Sequence, residues 1–321
     1  MIKEKRLVAF GPVPSRRLGK SLGINNIPPK ICTYSCVYCQ LGRTNNMRTK
    51  RKEFYDPKEI VHIVKNKVKE SKNKKEQIDY LTFVPDGEPT LDINLGKEIE
   101  LLRSLHIKIA VITNASLIWK KEVQEDLKKA DLISIKLDTV NRDIWYKIDR
   151  PCKSINFEKI LDDLIEFSHT FKGELITETM LVDNVNDSIE ELEHTADFIV
   201  GLKSKKSYIS VPIRPPSEKW VKIPNEDTLN KAYHTFKDKN IDVEYLIGYE
   251  GNAFASTGNV EDDILSITAV HPLREEGVNE LLKKSDGDWN IVERLIDERK
   301  IVEVIYRNKK FYIRNLKKNH K

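Results

Sequence analysis

Six times between residues 21 and 239 a short apolar run is followed by a longer segment with helical apolar spacing, and this alternation constrains the fold more than any other feature. The runs lie over 21–25, 78–84, 108–113, 132–137, 174–181 and 208–213. The intervening segments lie over 57–69, 95–105, 121–130, 156–171, 188–202 and 226–239. Over 57–69 the apolar positions Ile60, Ile63, Val64 and Val68 share one helical face. Strands joined by helices of this length form βαβ units and hence a parallel sheet. Six such units make a partial (β/α)6 TIM-type barrel, whose active site lies where the loops leave the C-terminal strand ends.

The loop after the first run carries Cys32-Thr-Tyr-Ser-Cys36-Val-Tyr-Cys39, three of the chain's four cysteines. A disulfide framework belongs to small secreted chains, whereas this one has 321 residues, is Lys-rich and shows no signal peptide. A reducing compartment and metal ligation suit it better, and the expected location is cytoplasmic. Structural zinc takes four ligands, and no histidine stands near to complete the set. Three soft thiolates fit an iron–sulfur cluster with one iron left open.

Three cysteines at this spacing with Tyr38 before the last resemble the CxxxCxxC motif of the radical S-adenosylmethionine (SAM) superfamily. The resemblance implies a [4Fe–4S] cluster on Cys32, Cys36 and Cys39, with SAM chelating the open iron. It further implies reductive cleavage of SAM to a 5′-deoxyadenosyl radical, oxygen sensitivity and a low-potential electron donor, flavodoxin or ferredoxin. The wider N-terminal passage, Phe10-Gly-Pro-Val-Pro-Ser-Arg16-Arg17-Leu-Gly19 through Cys39-Gln-Leu-Gly42, looks like radical SAM proteins allied to the tRNA wyosine-base synthases. That likeness covers residues 1 to about 258. Archaeal wyosine synthases carry a second cluster, which this chain lacks the cysteines to build.

The strand ends supply further candidates. Asp86-Gly87-Glu88-Pro89 after the second run is similar to the superfamily's GGEP motif, which places Gly87, Glu88 and Pro89 beside SAM. Asp86 stands where that motif has glycine. Ile112-Thr113-Asn114 ends the third run where the superfamily often contacts SAM, although Asn114 also suits a helix cap. Ser134, Lys136 and Asp138 alternate, so they share one face of the fourth strand. Polar groups facing a barrel lumen need partners or a polar ligand, and Lys136 and Asp138 can equally pair with each other. On the fifth strand Glu178 or Thr179 is positioned for SAM if it faces the lumen. Arg214 is a further candidate for an anion. Arg16 and Arg17, in a passage expected to be ordered loop, suit either an anion beside the cluster or a structural carboxylate. Cys152, far from the trio, reads as a small buried residue or a hydrogen-atom donor.

The net charge of +5 conceals two basic segments. Residues 43–75 hold twelve Lys/Arg against four Asp/Glu, and residues 299–321 nine against one. Such blocks suit polyanions or form a solvated face. No apolar run is long enough for a membrane span. Glycines 248, 251 and 258 close the barrel region, which divides the chain into 1–258 and 259–321. Helical patterns over 262–270, 273–284 and 289–299 precede two alternating strands over 301–306 and 310–314, a winged-helix-like order. Three functions follow as expectations: a radical SAM enzyme acting on RNA, in particular tRNA; one acting on a protein or peptide; or a redox-responsive nucleic-acid-binding regulator using the cluster as sensor. The SAM-binding strand ends disfavour the last.

Overall fold

The computed structural model describes residues 8–246, 259–270 and 272–315. An eight-stranded sheet dominates, in the order β1 (Ala9–Ser15), β2 (Gly19–Ile24), β5 (Tyr80–Phe83), β6 (Lys108–Thr113), β7 (Leu132–Lys136), β8 (Glu174–Met180), β9 (Lys206–Ser210) and β10 (Val243–Leu246). From β2 onward every neighbouring pair is parallel. The sheet curls into the expected partial TIM barrel, and the six strands read from the alternation are β2 and β5 to β9.

Both faces of this sheet are covered, so the strands are nearly continuous in apolar residues. Outward-facing Ile133, Ile135, Leu175 and Leu181 belong to one continuous apolar layer with the helices, to which α1 (Pro57–Asn73) contributes Ile60, Val61, Val64 and Val68. Its start is set by Pro57 at the first position and by the Asp56 carboxylate, which accepts from the Lys58 N–H (2.9 Å). Asn156, Ser188 and Asn225 cap later helices in the same way.

The inward face carries a second set. Ala110, Leu132, Ile176, Tyr208 and Leu246 cluster with Leu18, which the β1–β2 turn inserts beneath them. One step toward the C-terminal strand ends the lumen becomes polar, with Ser134, Lys136, Glu178 and Ser210. Between β2 and α1 two short parallel strands, β3 (Ile31–Cys32) and β4 (Asn46–Met47), anchor the cysteine loop at that end.

Several elements depart from expectation. The passage expected as loop before Gly19 contains β1, which pairs antiparallel with β2 and slips register between Phe10 and Val13. Proline is tolerated there because an edge strand does not need every N–H, and Pro12 and Pro14 lie on the sheet edge. Helix Arg142–Ile148, capped by Asn141, and strand β10 were not anticipated. Leu273–Arg274 is a strand, β11, rather than the start of a helix.

The C-terminal residues run helix Val260–Val270, β11, helix Glu275–Lys284, helix Asn290–Asp297, β12 (Ile301–Tyr306) and β13 (Lys309–Arg314), the strands ordered β11-β13-β12. Their core, including Val260, Ile264, Leu281, Leu295, Ile301 and Tyr312, is separate from the barrel core. Val13 of β1 packs against it. The glycine passage 248–258, with the division placed at its end, and the last six residues of the basic tail lie outside the described residues.

Candidate active site at the cysteine loop

At the C-terminal strand ends lies a cavity of about 390 Å³. Its wall includes all three clustered cysteines together with Tyr38, Gly87, Glu88, Asn114, Lys136 and Glu178. Ser134 and Pro89, the other two expected SAM contacts, are buried and are not among the described residues that line it.

The turn after β5 braces the loop. Glu88 N–H donates to the Ile31 carbonyl (3.2 Å), and Lys30 N–H donates to the Asp86 carbonyl (2.7 Å). Gly87 does permit a close approach, but its neighbour is the Ile31 backbone. The buried Glu88 carboxylate accepts at Oε1 from Thr90 N–H (3.1 Å), Thr90 Oγ1 (2.6 Å) and Thr113 Oγ1 (2.6 Å), and at Oε2 from Asn114 N–H (2.9 Å). It therefore ties the ends of β5 and β6 together. Asn114 in turn donates through Nδ2 to Thr33 Oγ1 (2.9 Å) and, more distantly, to Cys32 Sγ (3.7 Å).

Beneath the loop runs a charged network. Lys136 Nζ lies 3.3 Å from both Asp138 Oδ1 and Glu178 Oε1, and 4.8 Å from the centre of the Tyr38 ring. Tyr38 donates its hydroxyl to Asp138, and Arg17 pairs with Glu178. Burial alone would raise the Glu178 carboxyl, but Arg17 and Lys136 bring it down to about 2. Asp149, which accepts from Cys36 Sγ (3.2 Å), is pushed well above the carboxylate range by burial and then by the charge of Asp138. Thr179 points away from the lumen and donates to the Leu137 carbonyl (2.8 Å), which leaves Glu178 as the inward residue of that pair.

Of the two roles open to Arg17, an anion beside the cluster or a structural carboxylate, the pairing with Glu178 is the second, and the side chain reaches the lumen because the β1–β2 turn folds beneath it. Asp149 was not singled out: it ends an unanticipated helix, and nothing local marks it. Arg214 does line the cavity, where its NH1 donates to Gln40 Oε1 (3.2 Å). Arg16 reaches the Tyr245 carbonyl at 3.3 Å instead. Cys152 lies near Ser154 Oγ (3.5 Å), while its N–H donates to the Thr33 carbonyl (2.9 Å), so its backbone supports the loop.

The residues fit the cofactors that the sequence implies. Burial, then the charge of Glu88, pushes the Cys32 thiol up to about 12; burial raises Cys36 and Cys39 as well. Such thiols become thiolates only when metal replaces the proton. Among the described residues no three of His, Cys, Asp and Glu gather on one ion, and a cubane takes one thiolate per iron. Asp86, buried and on the cavity wall, has a carboxylate Oδ1 with no hydrogen-bond partner among the described residues. An ammonium group would satisfy it.

The family model described as the radical SAM superfamily matches residues 26–199. The chain is 49% identical to UPF0026 protein MJ1312 of Methanocaldococcus jannaschii over 98% of both chains. A radical SAM methyltransferase from Sphaerobacter thermophilus superposes with a TM-score of 0.54 at 14% identity, covering 71% of this chain and 66% of that one. Streptococcus suis SuiB bound to S-adenosylmethionine superposes with a TM-score of 0.52 at 15% identity, covering 70% and 49%. At such identities the two structures speak for the fold. Family match and full-length relative agree with the three-thiol cavity: the chain belongs to the radical SAM superfamily, enzymes that use a [4Fe–4S] cluster and SAM.

Proposed function

We propose that this radical SAM enzyme modifies RNA, with tRNA as its substrate. The barrel takes the reacting nucleoside, and residues 259–321, a winged-helix-like unit, hold phosphates. The observation that carries this reading is the seating of the C-terminal hairpin at the cavity rim. Tyr306 donates its hydroxyl to the carbonyl of Pro212 (2.7 Å), a lining residue. The exposed turn Arg307-Asn308-Lys309 follows directly, so cations stand beside the entrance. The likeness of the N-terminal passage to proteins allied to the wyosine-base synthases points the same way.

When bound, the cluster and SAM supply hydrogen-atom abstraction. The chain's residues do the positioning: Asp86 offers its acceptor to a cation, Glu88 fixes the strand ends, and Arg17, Lys136 and Glu178 form a polar floor. A reductant is required, and a ferredoxin or flavodoxin is its natural class.

A second reading, a polypeptide substrate, is favoured by the pairing of the basic tail within its own unit. Lys300 pairs with Glu261 (2.9 Å) and Glu298 (2.6 Å), Lys309 with Glu276 (3.6 Å), and Lys310 with Glu303 (3.5 Å). Phe311 and Tyr312 are buried and offer no stacking surface. A salt titration of tRNA binding decides between the two. Each phosphate contact contributes a log–log slope of roughly −0.7 to −0.9. The full-length protein should lose slope on Arg307→Glu with Lys309→Glu, and an unchanged slope would move the polypeptide reading to first place. Comparing tRNA nucleosides from cells with and without the gene names the modified base.

A further inference from the structure

The side of the cysteine loop away from the cavity is covered by two segments. From helix Arg142–Ile148 and its end, the carbonyls of Ile148 and Asp149 accept from the N–H groups of Val37 (2.8 Å) and Ser35 (3.0 Å). From the stretch after β9, Glu218 N–H donates to the Val37 carbonyl (3.0 Å), and Ser217 Oγ donates to the carbonyls of Cys36 (3.1 Å) and Val37 (2.9 Å). Val37, Ile148, Val182 and Val221 pack together as an apolar seal. The Glu218 carboxylate draws the pieces together, accepting from Arg43 (2.8 and 3.2 Å) and Arg150 (2.6 Å).

The outside of this seal is cationic with an aromatic centre. Lys147, Lys219 and Lys222 are exposed, and Arg43 and Arg150 flank them. The acids beside them are Glu218, already holding both arginines, with Asp143 and half-buried Asp183. Trp220 stands 41% exposed among them. Among the described residues lining the cavity none of these cations appears, nor does Trp220, whereas Cys36 and Cys39 do. The thiols therefore lie between this surface and the substrate cavity.

We propose that this surface is the docking site for an acidic electron-carrier protein of the ferredoxin or flavodoxin class. The step is a single electron transfer: the carrier's reduced centre loses one electron, the cluster gains it, and no proton or group moves. Cations steer an acidic partner, and an exposed tryptophan is the residue type that anchors small interfaces. Electron tunnelling falls off steeply with distance, and this surface is one hydrogen bond from the Cys36 carbonyl. It also leaves the cavity mouth free, so reduction and substrate binding do not compete. RNA is less well served, because a strand held here would be separated from the cavity by the loop. The inference rests on the cluster and is independent of the RNA reading.

The test uses full-length reconstituted protein and an acidic ferredoxin as the probe. Stopped-flow reduction of the cluster by photoreduced ferredoxin should slow roughly tenfold or more in Lys219→Glu with Lys222→Glu and in Trp220→Ala, with the charge-reversed protein losing most of its salt dependence. Reduction by dithionite and iron content should stay at the parent values. Calorimetric binding of oxidised ferredoxin should be lost in the same variants. Unchanged ferredoxin rates with an intact cluster overturn the proposal, as does loss of tRNA binding with ferredoxin reduction intact, which would make this an RNA surface. If the double variant fails to hold its cluster, Lys147→Glu, at an exposed side chain that is no part of the apolar seal, is measured by the same criteria.

Discussion

Gly87 and Ile31 meet backbone to backbone, and a methyl group placed on Gly87 would overlap the Ile31 carbonyl oxygen. Gly87 is not among the residues with positive φ, so the need for glycine is spatial. Replacement with alanine must push the Asp86–Glu88 turn away from the cysteine loop. Gly87→Ala should cost about 1–3 kcal/mol or more by overpacking. Iron per chain after reconstitution should fall together with the denaturation midpoint; full iron and an unshifted midpoint would refute the brace.

The three cavity cysteines should be separable from the fourth. Cys36→Ala should abolish a full [4Fe–4S] complement, read by iron and sulfide content and by visible absorbance. Cys152→Ala should retain it, because Cys152 supports the loop through its N–H, which alanine keeps. Equal retention in both variants would contradict the ligand assignment.

Glu88 accepts four hydrogen bonds, two from N–H groups and two from hydroxyls, so each of these partners faces it as a donor. Glu88→Gln preserves the shape but turns an NH₂ toward other donors. A loss of about 1–3 kcal/mol is expected from the unsatisfied groups. Urea denaturation measures it, and a neutral result would mean that the carboxylate is not the tie between β5 and β6.

Glu178 provides a test by pH. Its folded value, about 2, lies below the ordinary 4.5, so its contribution to stability is complete above the ordinary value and is lost as pH falls toward 2. Glu178→Gln leaves Arg17 and Lys136 short of a buried partner, and the loss near neutrality should be about 3–5 kcal/mol. Between pH 4.5 and 2 the gap between parent and variant should close. A gap independent of pH would mean that packing, rather than charge, is what the substitution removes.

The parallel part of the sheet was legible because strands covered on both faces show as apolar runs and their helices as amphipathic periods. The cysteine spacing likewise marked the loop whose three thiols line the cavity. What stayed hidden has a common physical cause. β1 is written in prolines and glycine that an edge strand accepts, and composition alone reads them as loop. Leu273–Arg274 carries too few residues for any period. Arg17 gains its place only through strands far along the chain, and the apolar seal over Val37 joins four separate segments. For Ser134 and Pro89, periodicity and motif could indicate the strand end but not whether the side chain lines the cavity.

Arg17 and Glu178 are 161 positions apart in sequence. Neither can be buried without the other, so their pairing must wait until the β1–β2 turn and β8 are both in place. A chain synthesised only as far as β7 holds the guanidinium beside Ser134 and above the apolar Leu18, Ala110 and Leu132, without the carboxylate of Glu178. Entry of the N-terminal turn is therefore a late, long-range event in assembly, of the kind that slows folding. Until then the nascent barrel is open at its base, and a cluster delivered early would meet water from below.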